Sequence, residues 1–157
     1  MKKIIYSLLI VLGVIILSGC GKEIDFSKTN HIVCKKTEVN ASDTTSTTMT
    51  FSYDKNEKLS WFKIESDTVY NNNMSKEAIE ITEKTMKLIS KTIGAGFKSE
   101  IGENRLYISF NGNVKALKLL MKQLNKNYKD DLVSGDTKQE ALTDLTKEGY
   151  TCEDIKK

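Results

Sequence analysis

The chain has 157 residues, with 24 Lys and Arg against 21 Asp and Glu, one His, three Cys, one Trp and no Pro. That length fits one domain with a hydrophobic core, and a single histidine removes most zinc sites and histidine-dependent catalytic templates. The charge is nearly balanced, more so once Lys2 and Lys3 are set aside, so there is no case for the concentrated basic face that nucleic acid requires.

Lys2 and Lys3 open an export-type leader, the apolar run Ile4 to Leu17 forms its centre, and Leu17-Ser18-Gly19-Cys20 closes it as a lipobox. The apolar run is shorter than the about 20 residues of a permanent membrane span. Residues 1–19 therefore read as a lipoprotein signal peptide and Cys20 as the site of diacylglycerol attachment. Residues 20–30, short, polar and without period, read as a flexible tether, and 31–157 as a single globular domain. These features place the protein at the cell membrane, lipid-anchored on its extracytoplasmic face. In that oxidising setting Cys34 and Cys152 are expected to pair, the alternative being two buried thiols. The bridge would close a very long loop, worth about 4–5 kcal/mol in the chain-entropy model. No CxxC spacing points to thiol exchange.

His31 to Val39 reads as a first strand. Met49, Phe51 and Tyr53 alternate with small polar residues in a Thr-rich second strand, Asp54-Lys55-Asn56-Glu57 turns, and Leu59 to Tyr70 forms a third. Ser75 can cap a helix in which Ala78, Ile81, Thr85, Leu88 and Ile89 share one side. Glu80 with Lys84, and Glu83 with Lys87, are spaced for i,i+4 pairs, and Gly94 and Gly96 end the helix. Phe97 to Ile101 and Leu106 to Phe110 alternate as a strand pair about Gly102-Glu103-Asn104, and Asn111-Gly112-Asn113 reads as the stop that follows. A second helix is expected from Val114 to about Tyr128. Thr137-Lys138-Gln139-Glu140 is a capping box for a third, ending at Gly149 with Tyr150 set against Leu145. The expected fold is α+β: a mostly antiparallel sheet of about five strands, in the order β-β-β-α-β-β-α-α, with the helices on one face.

The chemistry is sparse. His31 reads as an ordinary half-exposed strand residue, and no serine sits in a GxSxG setting. Asp54-Lys55-Asn56-Glu57 starts like a calcium loop but lacks the ligands and glycine to continue as one. Gly94-Ala95-Gly96 follows a helix, where its amides would not cradle phosphate. Lys115, Lys118, Lys122, Lys126 and Lys129 recur every three or four residues. That stripe is either a solvated helix face or a contact for anionic headgroups or wall polymers. Trp61 and Phe62 are adjacent on a strand, so one of them points away from the core. No catalytic residue, metal or cofactor is identified.

The lipobox, the strand segment Thr50-Phe51-Ser52-Tyr53-Asp54-Lys55-Asn56-Glu57-Lys58-Leu59, the amphipathic helix, the strand pair and the Lys-rich helix together resemble the YehR-like small bacterial lipoproteins. The closing Glu148-Gly149-Tyr150-Thr151-Cys152 is similar to uncharacterised exported lipoproteins of low-GC Gram-positive bacteria. The resemblance implies an α+β lipoprotein without assigned activity and carries over no site. The function expected is that of a non-enzymatic envelope module, a monomer held to the membrane through Cys20, that binds a protein, a polymer or a small ligand. A small hydrolase using Asp130, Asp131 and Asp136 is the alternative.

Overall fold

Alternating side chains and short turns draw the first three strands into a meander, and the rest of the chain extends that sheet in both directions. The structure, a computed structural model, describes residues 24–93, 96–114 and 137–157. Its elements are β1 (His31–Val39), β2 (Asp43–Tyr53), β3 (Leu59–Tyr70), α1 (Lys76–Ile93), β4 (Phe97–Ile101), β5 (Arg105–Asn113), α2 (Lys138–Lys147) and β6 (Thr151–Ile155). The fold is α+β. Its one sheet has six strands in the order β4-β5-β3-β2-β1-β6, every neighbouring pair antiparallel.

The expectation of five strands is corrected to six. Thr151–Ile155, assigned to no element from the sequence, adds to the free edge of β1 with Cys152 directly opposite Cys34. Two of the three expected helices are present among the described residues. The Val114–Tyr128 helix falls outside them apart from Val114, as does Gly94. A further correction concerns β5, which runs on through Asn111-Gly112-Asn113. These residues pair with Lys63, Phe62 and Trp61, so their backbone groups find partners in the longer β3. Gly112 is used for packing rather than turning: the Phe62 ring lies over it, and a Cβ there would stand 3.3 Å from a ring carbon.

Register puts the core on one face. Ile32, Phe51, Phe62 and Gly112 form one cross-strand row, and Cys34, Met49, Ile64 and Phe110 form the next. Ala141 and Leu145 of α2, both fully buried, close over these rows. At the other flank Met86 and Ile89 of α1 pack on Phe97, Leu106 and Ile108, which alternation places on the same face. Phe110 touches both clusters, and its ring meets that of Phe62 edge-on at 5.3 Å. Both described helices thus lie on one face, as expected.

The buried side of α1 matches expectation at Ile89 and differs at Ile81 and Leu88. Ile81 and Leu88 are each 65% exposed, while Met86 and Ile89 are buried. The helix carries two apolar arcs at helical spacing, and the corner of the sheet at β4 and β5 receives only one. Its start follows the sequence: the Ala78 amide donates to Ser75 Oγ at 3.2 Å, and of the two expected ion pairs Glu80 and Lys84 meet at 2.6 Å.

α2 is fixed at both ends by local chemistry. Thr137 and Glu140 form the reciprocal capping box. At the other end Gly149 takes φ 86°, the Tyr150 amide donates to Leu145 O at 2.9 Å, and the Gly149 amide to Thr146 O at 3.0 Å.

The two ends of the sheet are unlike. At one, β1 begins, β5 and β6 finish and the β2–β3 turn sits. Within the stretch read as a tether, Phe26–Lys28 forms a 3₁₀ turn capped by Asp25, and the Lys157 amide donates to Asn30 Oδ1 at 2.8 Å. At the far end three turns are tied together. The Asn71 amide donates to Ser42 O at 2.9 Å, and Met74 and Tyr70 donate to Glu103 O and Asn104 O. Among the described residues no helix is long and apolar enough to cross a membrane.

Candidate functional site

Two polar arrangements stand out against this frame, one on the core face and one on its reverse. On the core face, at the end where the amino-terminal segment enters, Lys138 is buried at the first turn of α2. Its Nζ donates to Glu57 Oε1 at 2.7 Å and to Asp154 Oδ2 at 3.1 Å, and lies 4.8 Å from the centre of the Tyr53 ring. The Tyr53 hydroxyl donates to the other oxygen of Asp154. Hydrogen bonds to Glu57 and Asp154 hold the Lys138 ammonium well above its ordinary range. The bond from Tyr53, then that from Lys138, hold the Asp154 carboxyl below the usual carboxylate range, while burial and its bond to Asp154 push the Tyr53 hydroxyl up. All three groups are thereby fixed in one protonation state around neutrality, which suits a clamp and not proton transfer. The clamp joins α2, the β2–β3 turn and β6.

The reverse face holds the residues that alternate with the core. Trp61 resolves as the outward member of its pair: Phe62 is 1% exposed within the core, and Trp61 is half-buried on the other side. Ser52 and Asn113 flank it across the ladders, and the next row is Thr50, Lys63 and Asn111. Toward the far end lie Glu65 with Ser109, then Asp67 with Tyr107. No described helix contributes a buried residue to this face. The amino-terminal turn covers one corner, where Phe26 meets the His31 ring edge-on at 6.1 Å and His31 Nδ1 lies 2.8 Å from Thr29 O. His31 is therefore buried, not half-exposed as the sequence suggests, because the 3₁₀ turn folds back over it.

Several charges on this face are paired with one another. Lys63 Nζ meets Glu65 Oε1 at 2.9 Å, the Tyr107 hydroxyl donates to the same oxygen at 2.7 Å, and Arg105 holds Asp67 with two bonds of 2.8 and 2.9 Å. Burial opposes ionisation of Glu65, but the bonds from Lys63 and Tyr107 outweigh it and keep its carboxyl below the ordinary range. Every described carboxylate with a resolved shift is lowered, so none is set up to hold a proton for general acid work near neutrality.

Two buried polar side chains on this face have no side-chain partner among the described residues. Asn111 is 9% exposed and Thr50 is 8% exposed, yet neither the Asn111 amide nor the Thr50 hydroxyl makes a side-chain hydrogen bond to a described residue. Nearby hydroxyls are satisfied: Ser52 Oγ lies 2.9 Å from Ser60 Oγ and accepts from the Trp61 amide at 3.2 Å. Asn111 escaped the sequence reading because Asn-Gly-Asn has the composition of a turn; only the length of its partner strand reveals that it continues the ladder.

Among the other expected residues, Cys34 and Cys152 form a disulfide with their Cα atoms 4.0 Å apart, and Cys34 is fully buried. Cys20, the lysines at 115, 118, 122, 126 and 129, and the carboxylates of Asp130, Asp131 and Asp136 lie outside the described residues. The Asp54 turn forms as a turn, with Asp54 Oδ1 accepting from the Asn56 and Lys58 amides at 2.8 and 3.0 Å. Among the described residues no group of three or more His, Cys, Asp or Glu side chains is arranged to hold a metal. No protein-family model, curated protein or solved structure matches the chain.

Proposed function

We propose that the chain is an extracytoplasmic lipoprotein, anchored through diacylglycerol on Cys20, that works as a non-enzymatic binding module through the sheet face opposite its helices. The observation that carries the binding reading is the unused polar capacity on that face, where the buried Asn111 amide and Thr50 hydroxyl sit beside half-buried Trp61. Folded chains rarely bury polar groups without a partner, and a ligand is one way to supply it. The lipobox supports the anchor, and the likeness to YehR-like lipoproteins belongs to the same reading. With the amino-terminal segment entering beside β1, the end of the sheet with the β2–β3 turn would face the membrane. The lysines at 115, 118, 122, 126 and 129, which follow β5 in sequence, are read as a contact with anionic headgroups or wall polymers.

A photocrosslinking residue at Ser46, exposed on the reverse face, tests this in intact cells against one at Glu83 on α1. The reading expects envelope material to be captured from position 46 and not from 83. Capture from 83 alone, or from neither, would refute it.

A further inference from the structure

We infer that the patch made by Trp61, Thr50, Lys63 and Asn111 binds a neutral saccharide chain. This rests on the proposal that the reverse face is the binding face, and names what the face takes. The Asn111 side chain offers two donors and an acceptor, and Thr50 a further hydroxyl, none of them engaged by described residues. Such groups are complementary to ligand hydroxyls, which both give and accept. On the β4 side of Asn111 the chain places Gly96, whose carbonyl accepts from the Asn111 amide at 2.9 Å. A Cβ at Gly96 would stand 2.6 Å from Asn111 O and 3.4 Å from its Oδ1, so the two strands approach here too closely for any side chain at position 96.

Trp61 lies one row away on the same face, and its ring gives a flat apolar surface for the C–H face of a sugar. With neighbouring strands about 4.8 Å apart, the Thr50–Lys63–Asn111 row spans roughly 10 Å, room for a ring beside the indole. Charge decides among ligand classes. Lys63, the cation within the patch, is held by Glu65 and so is already engaged. The two exposed valines of this face, Val39 and Val69, sit at its far end, away from the patch.

The protein has one tryptophan, so its emission reports on the patch directly. The full lipidated chain in detergent is titrated with chitotetraose and maltotetraose as neutral probes, and with heparin as an anionic one. The expected result is a saturable change in emission with a neutral probe that persists in about 0.5 M salt, where exposed charge attraction is screened. Asn111→Ala should weaken that binding at least about tenfold. It should not lower the melting temperature of the free protein, because the amide it removes has no side-chain partner among the described residues. Lys84→Ala on α1 should leave binding unchanged. No response to either neutral probe, a response only to heparin that salt abolishes, or an Asn111→Ala variant that binds normally would overturn the inference. If position 46 still captures envelope material in cells, the ligand class fails alone; if it does not, the binding face fails with it.

Discussion

Reducing the Cys34–Cys152 bridge is the perturbation whose size the structure fixes best. The bond joins residues 118 apart in sequence, and closing a loop of that length removes unfolded-state entropy worth about 5 kcal/mol at 25 °C. Reduction keeps both sulfurs in place. Cys34 is fully buried among Ile32, Met49 and Leu145, where a thiol packs as a small apolar group, so little native packing is lost. Domains of this size unfold with roughly 0.27 kcal/mol/K of entropy near the midpoint, so a loss of about 5 kcal/mol lowers Tm by roughly 15–20 °C. Thermal melts followed by circular dichroism, with and without a phosphine reductant, measure this; alkylation and mass spectrometry confirm that the bond is open. A fall of less than about 3 °C in fully reduced protein would refute the loop-entropy reasoning. Two titratable thiols in unreduced, unfolded protein would remove the bridge itself.

Three other outcomes are expected. Lys138→Met should cost about 2–3 kcal/mol in denaturant unfolding, chiefly because Asp154 loses the ammonium it faces; Glu57 is half-exposed and its share is small. The carboxyl of Asp154 is lowered in the folded state, so its contribution is present above the unfolded value near pH 4 and is lost as pH falls through the lowered value. Acid titration of stability should show that loss in the parent and a smaller one in Lys138→Met; equal profiles would mean the clamp contributes nothing. Gly149→Ala, at φ 86°, should destabilise by about 1 kcal/mol or more, read from the shift in denaturation midpoint. Cys20→Ala should abolish incorporation of a labelled fatty acid, and a variant still labelled would place the lipid elsewhere.

Local rules were legible in the sequence where a single segment settles its own energetics. The capping box at Thr137, the left-handed residue at Gly149 and the alternation in β1 to β3 depend on neighbours within a few residues, and each is found in the structure. What escaped depends on partners distant in sequence. β6 exists because the edge of β1 was free to pair, and nothing within Thr151–Ile155 announces that. Asn111-Gly112-Asn113 is strand because β3 reaches back to Trp61. The choice between the Met86/Ile89 arc and the Ile81/Leu88 arc of α1 was made by the corner of the sheet, since both have helical spacing. The place of Asn111 on the reverse face could not be seen until that register was known.

The setting of β1 has a mechanical consequence. Its first residue is where the amino-terminal segment joins the sheet, it is flanked on both sides by antiparallel partners, and its fourth is covalently tied to β6. Force drawn through that segment runs along the strand axis and loads two ladders in shear, instead of peeling them open one bond at a time. Unravelling from this end would stop at Cys34, three residues in, and the tension would pass through the sulfurs to the carboxy-terminal strand. A tug from that side would move the domain as one piece.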